Sequence, residues 1–143
     1  MATSAISSHG TLLKIGDGQG SESFTTIAEV LDITGPQYEL ATEEVTNHDS
    51  GGWREFVPTL LDGGEITFDL NYYSAVTQDQ LETDMLARTK RNFKVVFPLP
   101  AAGTDTRAFA AYVTGVEVQA PVEGVLKMSL TLRTTGAVTK AVA

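Results

Sequence analysis

The residue types that could do chemistry are few in this chain, and their spacing works against it. His48, Asp49 and Ser50 are the three side chains of a hydrolase triad set side by side. A triad holds its imidazole between the other two groups in space, which three consecutive residues seldom do. The run reads instead as an Asx-type turn. His9 and His48 are the only imidazoles. No HxH or HExxH spacing accompanies them, so no zinc site is expected. Gly16-Asp17-Gly18-Gln19-Gly20 shares its glycine content with phosphate-cradling loops. No helical pattern follows it, and Phe24 to Val30 reads as another strand, so a hairpin loop is expected. Carboxylates are plentiful, but spacing pairs none of them. No catalytic residue, metal or cofactor is expected, and the chain does not read as an enzyme.

Composition narrows the classes further. The 143 residues suffice for one domain with a real core, and 42% apolar with 20% charged residues is globular in character. The absence of cysteine removes disulfides and thiolate metal sites. MATSAISSHG has neither a basic start nor an apolar run, so it does not read as a signal peptide. No segment has the length and apolarity of a membrane-spanning helix. A net charge of −8 opposes a surface that grips nucleic acid. It does not oppose one that nucleic acid passes without sticking.

The elements that must position any site are mostly strands. Thr11–Ile15, Phe24–Val30 and Gln37–Val45 read as strands, with Asp32-Ile33-Thr34-Gly35-Pro36 as a turn cluster. Glu65 to Tyr73 alternates strictly: Ile66, Phe68, Leu70 and Tyr72 on one face, Glu65, Thr67, Asp69 and Asn71 on the other. Thr77-Gln78-Asp79-Gln80 fits a capping box for one helix, with Leu81, Met85 and Leu86 as a narrow apolar stripe. Arg88, Lys90 and Arg91 at its end read as a solvated helix terminus before a nucleic-acid patch. Asn92–Phe97 is a strand and Thr106–Gln119 a long extended run that bends at Gly115. The last strand sets Leu126, Met128, Leu130 and Leu132 against Lys127, Ser129, Thr131 and Arg133. Residues 1–10 and 136–143 read as loose termini. The sum is mainly β: an antiparallel sandwich or strongly curved sheet with one flanking helix, in a single domain spanning 1–143.

Residues 46–64 stand apart. Turn formers open the stretch, and Trp53, Phe56, Val57, Leu60 and Leu61 follow without a helical or strand period. Loops run over the surface, so this apolar load folds back onto its own domain or reaches another subunit.

The run Asn47-His48-Asp49-Ser50-Gly51-Gly52-Trp53-Arg54-Glu55-Phe56-Val57-Pro58, followed by Leu61-Asp62-Gly63-Gly64-Glu65-Ile66-Thr67-Phe68, resembles the major tail (tail tube) proteins of long-tailed, non-contractile bacteriophages. The likeness extends to the order of elements along nearly the whole chain. Nothing after Gly136 corresponds to the immunoglobulin-like domain that larger members carry. The resemblance implies hexameric rings stacked into a tube, in the virion and assembled in the host cytoplasm. It implies a tape-measure protein inside, tail-tip and terminator proteins as further partners, and DNA passing the lumen unbound.

Under that reading Glu65, Thr67, Asp69, Asn71, Lys127, Ser129 and Thr131 face the lumen, against the alternative of an ordinary solvent face. Six copies carry six times −8, or −48 formal charges, which would repel phosphates. Trp53, Arg54, Phe56, Val57, Leu60 and Leu61 contact another subunit or ring, against the alternative that they cap their own sandwich. Rival readings are a related tube of a contractile tail or secretion system, and a small β-barrel that binds an apolar ligand.

Overall fold

A computed structural model describes residues 4–143. The expectation of a loose N-terminal tail falls in part on residues 1–3, which lie outside the described residues; residues 4–10 enter no helix or strand. The strands are β1 (Leu12–Gly16), β2 (Phe24–Thr26), β3 (Val30–Thr34), β4 (Glu39–Glu44), β5 (Phe56–Asp62), β6 (Glu65–Asn71), β7 (Arg91–Pro98), β8 (Thr104–Gln119) and β9 (Lys127–Val142). One helix, α1, spans Val76–Ala87.

Seven strands form one sheet in the order β2-β1-β7-β8-β9-β6-β3, and every paired neighbour is antiparallel. The β8–β9 hairpin is its spine. β7 pairs with β8 only from Thr104 to Ala111, and β6 with β9 only from Lys127 to Arg133. The sheet thus has two arms set at opposite ends of a long hairpin. Bulges between Val113 and Gly115, and between Ala108 and Ala110, bend the spine as extra residues do. The inward faces of both arms meet in one core: Leu13, Ile15, Phe93, Val95 and Phe109 from one, Ile66, Phe68, Leu70, Met128, Leu130 and Leu132 from the other. Phe93 and Phe109 stack with centroids 5.9 Å apart.

The helix is tied down by polar groups. Its stripe is Gln78, Leu81 and Asp84, all buried, with Met85 half-buried and Leu86 exposed. Gln78 Oε1 accepts from the Tyr73 and Ala75 N–H groups, and its Nε2 donates to the carbonyls of Ala28 and Asn71. Asp84 accepts from Arg91 Nε at 2.7 Å, Arg91 Nη2 at 2.9 Å and Gln80 Nε2 at 2.8 Å. That bond holds the Arg91 guanidinium above its ordinary pKa. The expected Thr77–Gln80 capping box does not form. The N-cap is Ala75, two residues earlier, and the Thr77 hydroxyl accepts from the Ala28 N–H instead. An anchoring tertiary bond outcompetes the local one.

Three further expectations change. The turn cluster at Asp32–Pro36 is mostly strand: Ile33 stands opposite Phe68 and Thr34 opposite Thr67, with a bulge absorbing Leu31 and Asp32. Only Gly35, at φ +115°, and the cis Gly35–Pro36 bond turn the chain. The strand expected from Phe24 to Val30 accordingly splits into β2 and β3. The terminus expected to be loose from 136 onward continues β9, with Thr139, Lys140, Ala141 and Val142 paired to Ala108, Arg107, Thr106 and Asp105. Its side chains are nearly all exposed, so no apolar alternation marks it.

Candidate assembly surfaces

The glycine loop between β1 and β2 is a hairpin that turns N–H groups onto its own carboxylates. Gly18 N–H donates to Glu22 Oε2 and Gln19 N–H to Asp17 Oδ1. His48–Ser50 is a single 3-10 turn capped by Asn47, whose Oδ1 accepts from the Asp49 N–H. The Ser50 hydroxyl donates to Glu55 Oε2 at 2.8 Å rather than meeting an imidazole. No group of three or more His, Cys, Asp or Glu side chains able to hold a metal occurs among the described residues. No described helix is long and apolar enough to cross a membrane. Of the bases after the helix, Arg91 turns inward to Asp84, while Arg88 at φ +58° and Lys90 stay exposed.

Two surfaces remain. The first is a polar sheet face. Register places Glu65 opposite Arg133, Thr67 opposite Thr131, Asp69 opposite Ser129 and Asn71 opposite Lys127. The seven residues expected at a lumen therefore share one face, and Ser129 Oγ donates to Asp69 Oδ1 at 2.6 Å. β8 extends it with Tyr112, Glu117 and Gln119, opposite Arg133, Ser129 and Lys127. Sequence reasoning missed these three because the bulge before Gly115 switches the inside–outside parity of a long run. Across the face Glu65, Asp69 and Glu117 stand against Lys127 and Arg133, so it is far closer to neutral than the chain as a whole.

The second surface is the segment expected as a long loop. From Phe56 onward it is strand, and with β4 it forms a separate two-stranded ribbon. No period betrays β5 because neither face of an isolated ribbon is buried. Leu40 stands opposite Leu61 and Glu44 opposite Phe56. A bulge opposite Leu40–Thr42 shifts the alternation, and the register then gathers Leu40, Phe56, Pro58 and Leu61 on one side. Among the described residues nothing covers them: Trp53, Leu60 and Leu61 are about four-fifths exposed, and Arg54, Phe56 and Val57 are exposed as well. The capping of its own sandwich by this segment does not occur.

Where the ribbon leaves the body its position is fixed. Gly64, at φ +74°, lies so close to the Gln37 carbonyl that a side chain there would collide with it. Asp62 accepts from the Gly64 N–H at 2.9 Å and from Arg133 Nη2 at 2.8 Å. Those two bonds, the backbone one first, hold its carboxyl below the ordinary range. Asp105 and Tyr38 both bond Arg107, which is pushed well above its ordinary value, chiefly by Asp105.

The fold is one that chains of several solved tube assemblies share. A chain from the tail of an empty gene transfer agent particle, refined with C6 symmetry, superposes with a TM-score of 0.79 at 20% identity, over 96% of this chain and 99% of that one. A chain of the SPP1 tail tube gives 0.66 at 15% identity, over 91% of this chain and 75% of that one. A chain of the sheath/tube terminator of the PVC extracellular contractile injection system gives 0.71 at 16%, over 99% of each. Identities this low establish shared fold alone. No curated protein matches the chain in sequence. The family is settled by its own model, that of the phage tail tube proteins, which matches residues 5–140. The chain belongs to the phage tail tube protein family, and its role is structural, as a component of a tube.

Proposed function

We propose that six copies of this single-domain chain close into a ring, that rings stack into the tube of a virion tail, and that DNA passes the bore without binding. The observation that carries this is a pair of open edges on one arm of the sheet. Among the described residues β3 has no partner on its outer side, and β8 from Tyr112 to Gln119 lacks one on the side away from β9. Pairing of β3 in one copy with that part of β8 in the next removes both edges and closes the arms into a barrel. Glu65, Thr67, Asp69, Asn71, Lys127, Ser129 and Thr131 then line a wet wall, with each subunit's core behind it. The mixed charge of that wall offers phosphates no cluster of Lys and Arg to displace counterions.

The exposed ribbon supplies the contact to a neighbouring subunit or ring, with Trp53, Arg54, Phe56, Val57, Leu60 and Leu61 at the interface. Apolar residues left in water on a projecting arm are the signature of a partner. A tape-measure protein occupies the bore before DNA does, tail-tip and terminator proteins close the two ends, and assembly takes place in the host cytoplasm. The chain acts as a building block and not as an enzyme. A ligand-binding barrel is disfavoured, because the sheet of one copy stays open and Phe93, Phe109, Leu130 and Leu132 fill its interior.

Light scattering combined with negative-stain microscopy of the purified protein tests the proposal. Rings or tubes with six-fold end views are the expected result. A species that stays monomeric at every concentration and salt condition overturns it.

A further inference from the structure

The outer face of the β2-β1-β7-β8-β9 arm is unlike the rest of the molecule. Register sets out three rows across it: Leu12, Val96, Thr106 and Ala141; Thr26, Lys14, Lys94, Ala108 and Thr139; Phe24, Gly16, Asn92, Ala110 and Thr135. In a chain with 18 acids and 10 bases, these rows hold two lysines and no carboxylate. One carboxylate reaches the face from the adjoining loop: Glu22 lies over Gly16 in the third row and is engaged by Asn92 Nδ2 at 2.7 Å and by the Gly18 N–H. Lys94 Nζ sits 4.1 Å above the Phe24 ring. Beside it Ala108 and Ala110 floor a shallow hollow of about 390 Å³, rimmed by Phe24, Asn92, Thr135 and Ala137.

The ribbon has the opposite character. Residues 39–62 carry Glu39, Glu43, Glu44, Asp49, Glu55 and Asp62 against Arg54 as their one Lys or Arg. More than half of the chain's net negative charge therefore rides on an arm whose exposed apolar residues include Trp53 and Phe56. An acidic arm with an aromatic tip and a face that sets Lys14 and Lys94 beside a hollow, with Glu22 as the one carboxylate over its rows, are complementary in sign and in shape.

Resting on the reading of the ribbon as an intersubunit arm, we propose that its receptor is this outer face of a second copy, with Trp53 seated in the hollow over Ala108 and Ala110 and the ribbon carboxylates on Lys14 and Lys94. The contact is heterologous, since arm and receptor are different surfaces, and such contacts propagate rather than stop at a dimer. It also covers Leu12 and Ala141, the apolar residues of these rows that stand exposed in one copy.

The test places a photoreactive benzoylphenylalanine at position 53, which keeps an aromatic there, and maps crosslinks in assembled tubes. The expected result is intermolecular crosslinks to the segments around Lys94 and Ala108–Ala110. Alongside it, Ala108→Trp fills the hollow from the solvent side and is expected to raise the protein concentration needed for assembly at least about tenfold. Lys94→Glu is expected to weaken assembly, and Glu43→Lys to restore it in part. Crosslinks to β6 or to the Lys127–Arg133 part of β9, together with normal assembly of Ala108→Trp, overturn this receptor but leave the intersubunit arm standing. Tubes without any intermolecular crosslink from position 53 overturn both.

Discussion

Replacing Trp53 and Phe56 together by alanine separates assembly from folding. Trp53 leaves 80% of its surface in water and Phe56 leaves 53%. An aromatic side chain covers about 150–250 Å² when buried, so Trp53 has about 160 Å² left to lose and Phe56 about 80 Å². At ~25 cal/mol per Å² these areas correspond to about 4 and 2 kcal/mol per subunit contact. Six kcal/mol or so is roughly four orders of magnitude in an association constant. The isolated fold, by contrast, gains almost nothing from side chains that touch so little, so its stability shifts by no more than about 0.5 kcal/mol. That is a change of about 2 °C in melting temperature for a chain of this size. Sedimentation and microscopy read the loss of tubes, and circular dichroism with thermal melting reads the fold. A double variant that unfolds refutes the assignment of these residues to an intersubunit contact. So does one that polymerises at the wild-type concentration.

Four further outcomes are expected. Glu65→Lys with Asp69→Lys leaves tubes intact, because both side chains point away from the core, but slows DNA passage in an ejection assay; normal ejection removes the lumen assignment. Asp84→Ala strips Arg91 and Gln80 of their acceptor beneath the helix and costs about 2–3 kcal/mol in chemical denaturation, whereas Leu86→Ala, at an exposed position, changes little. Gly64→Ala forces a side chain against the Gln37 carbonyl at positive φ and destabilises by at least about 1 kcal/mol, readable in the same titration. Asp62, Asp79 and Asp105 are all held below their ordinary value of 3.8, mainly by the Gly64 N–H, the Ser74 hydroxyl and Arg107 respectively. Their contribution to stability is therefore complete above about pH 4 and is lost as pH falls through the lower folded values. Asp105→Asn flattens that acid limb of the stability curve.

Legibility in the sequence tracked burial on one side. Glu65–Asn71 and the Lys127–Arg133 part of β9 were readable residue by residue, because each has a dry face and a wet one. Their pairing partners were not readable, although both polar sets proved to lie on one face. β5 and the end of β9 showed no alternation, since exposure on both faces lets apolar and polar residues mix freely. The helix was readable in position but not in its buried face, because Gln78 and Asp84 earn their burial through bonds to distant groups, Ala28 and Arg91. The apolar load from Trp53 to Leu61 was conspicuous from composition alone. The lysine-bearing outer face was not, because it is assembled from five strands and exists only once their register is known.

A three-dimensional reconstruction of assembled tubes bears most directly on whether copies of this chain complete one another around a bore. The expected map shows six subunits per ring, β3 hydrogen-bonded to the Tyr112–Gln119 part of the neighbouring β8, and Glu65, Asp69, Ser129 and Thr131 on the inner wall. A map with those residues on the outside of the tube, or with β3 unpaired at the ring interface, contradicts it.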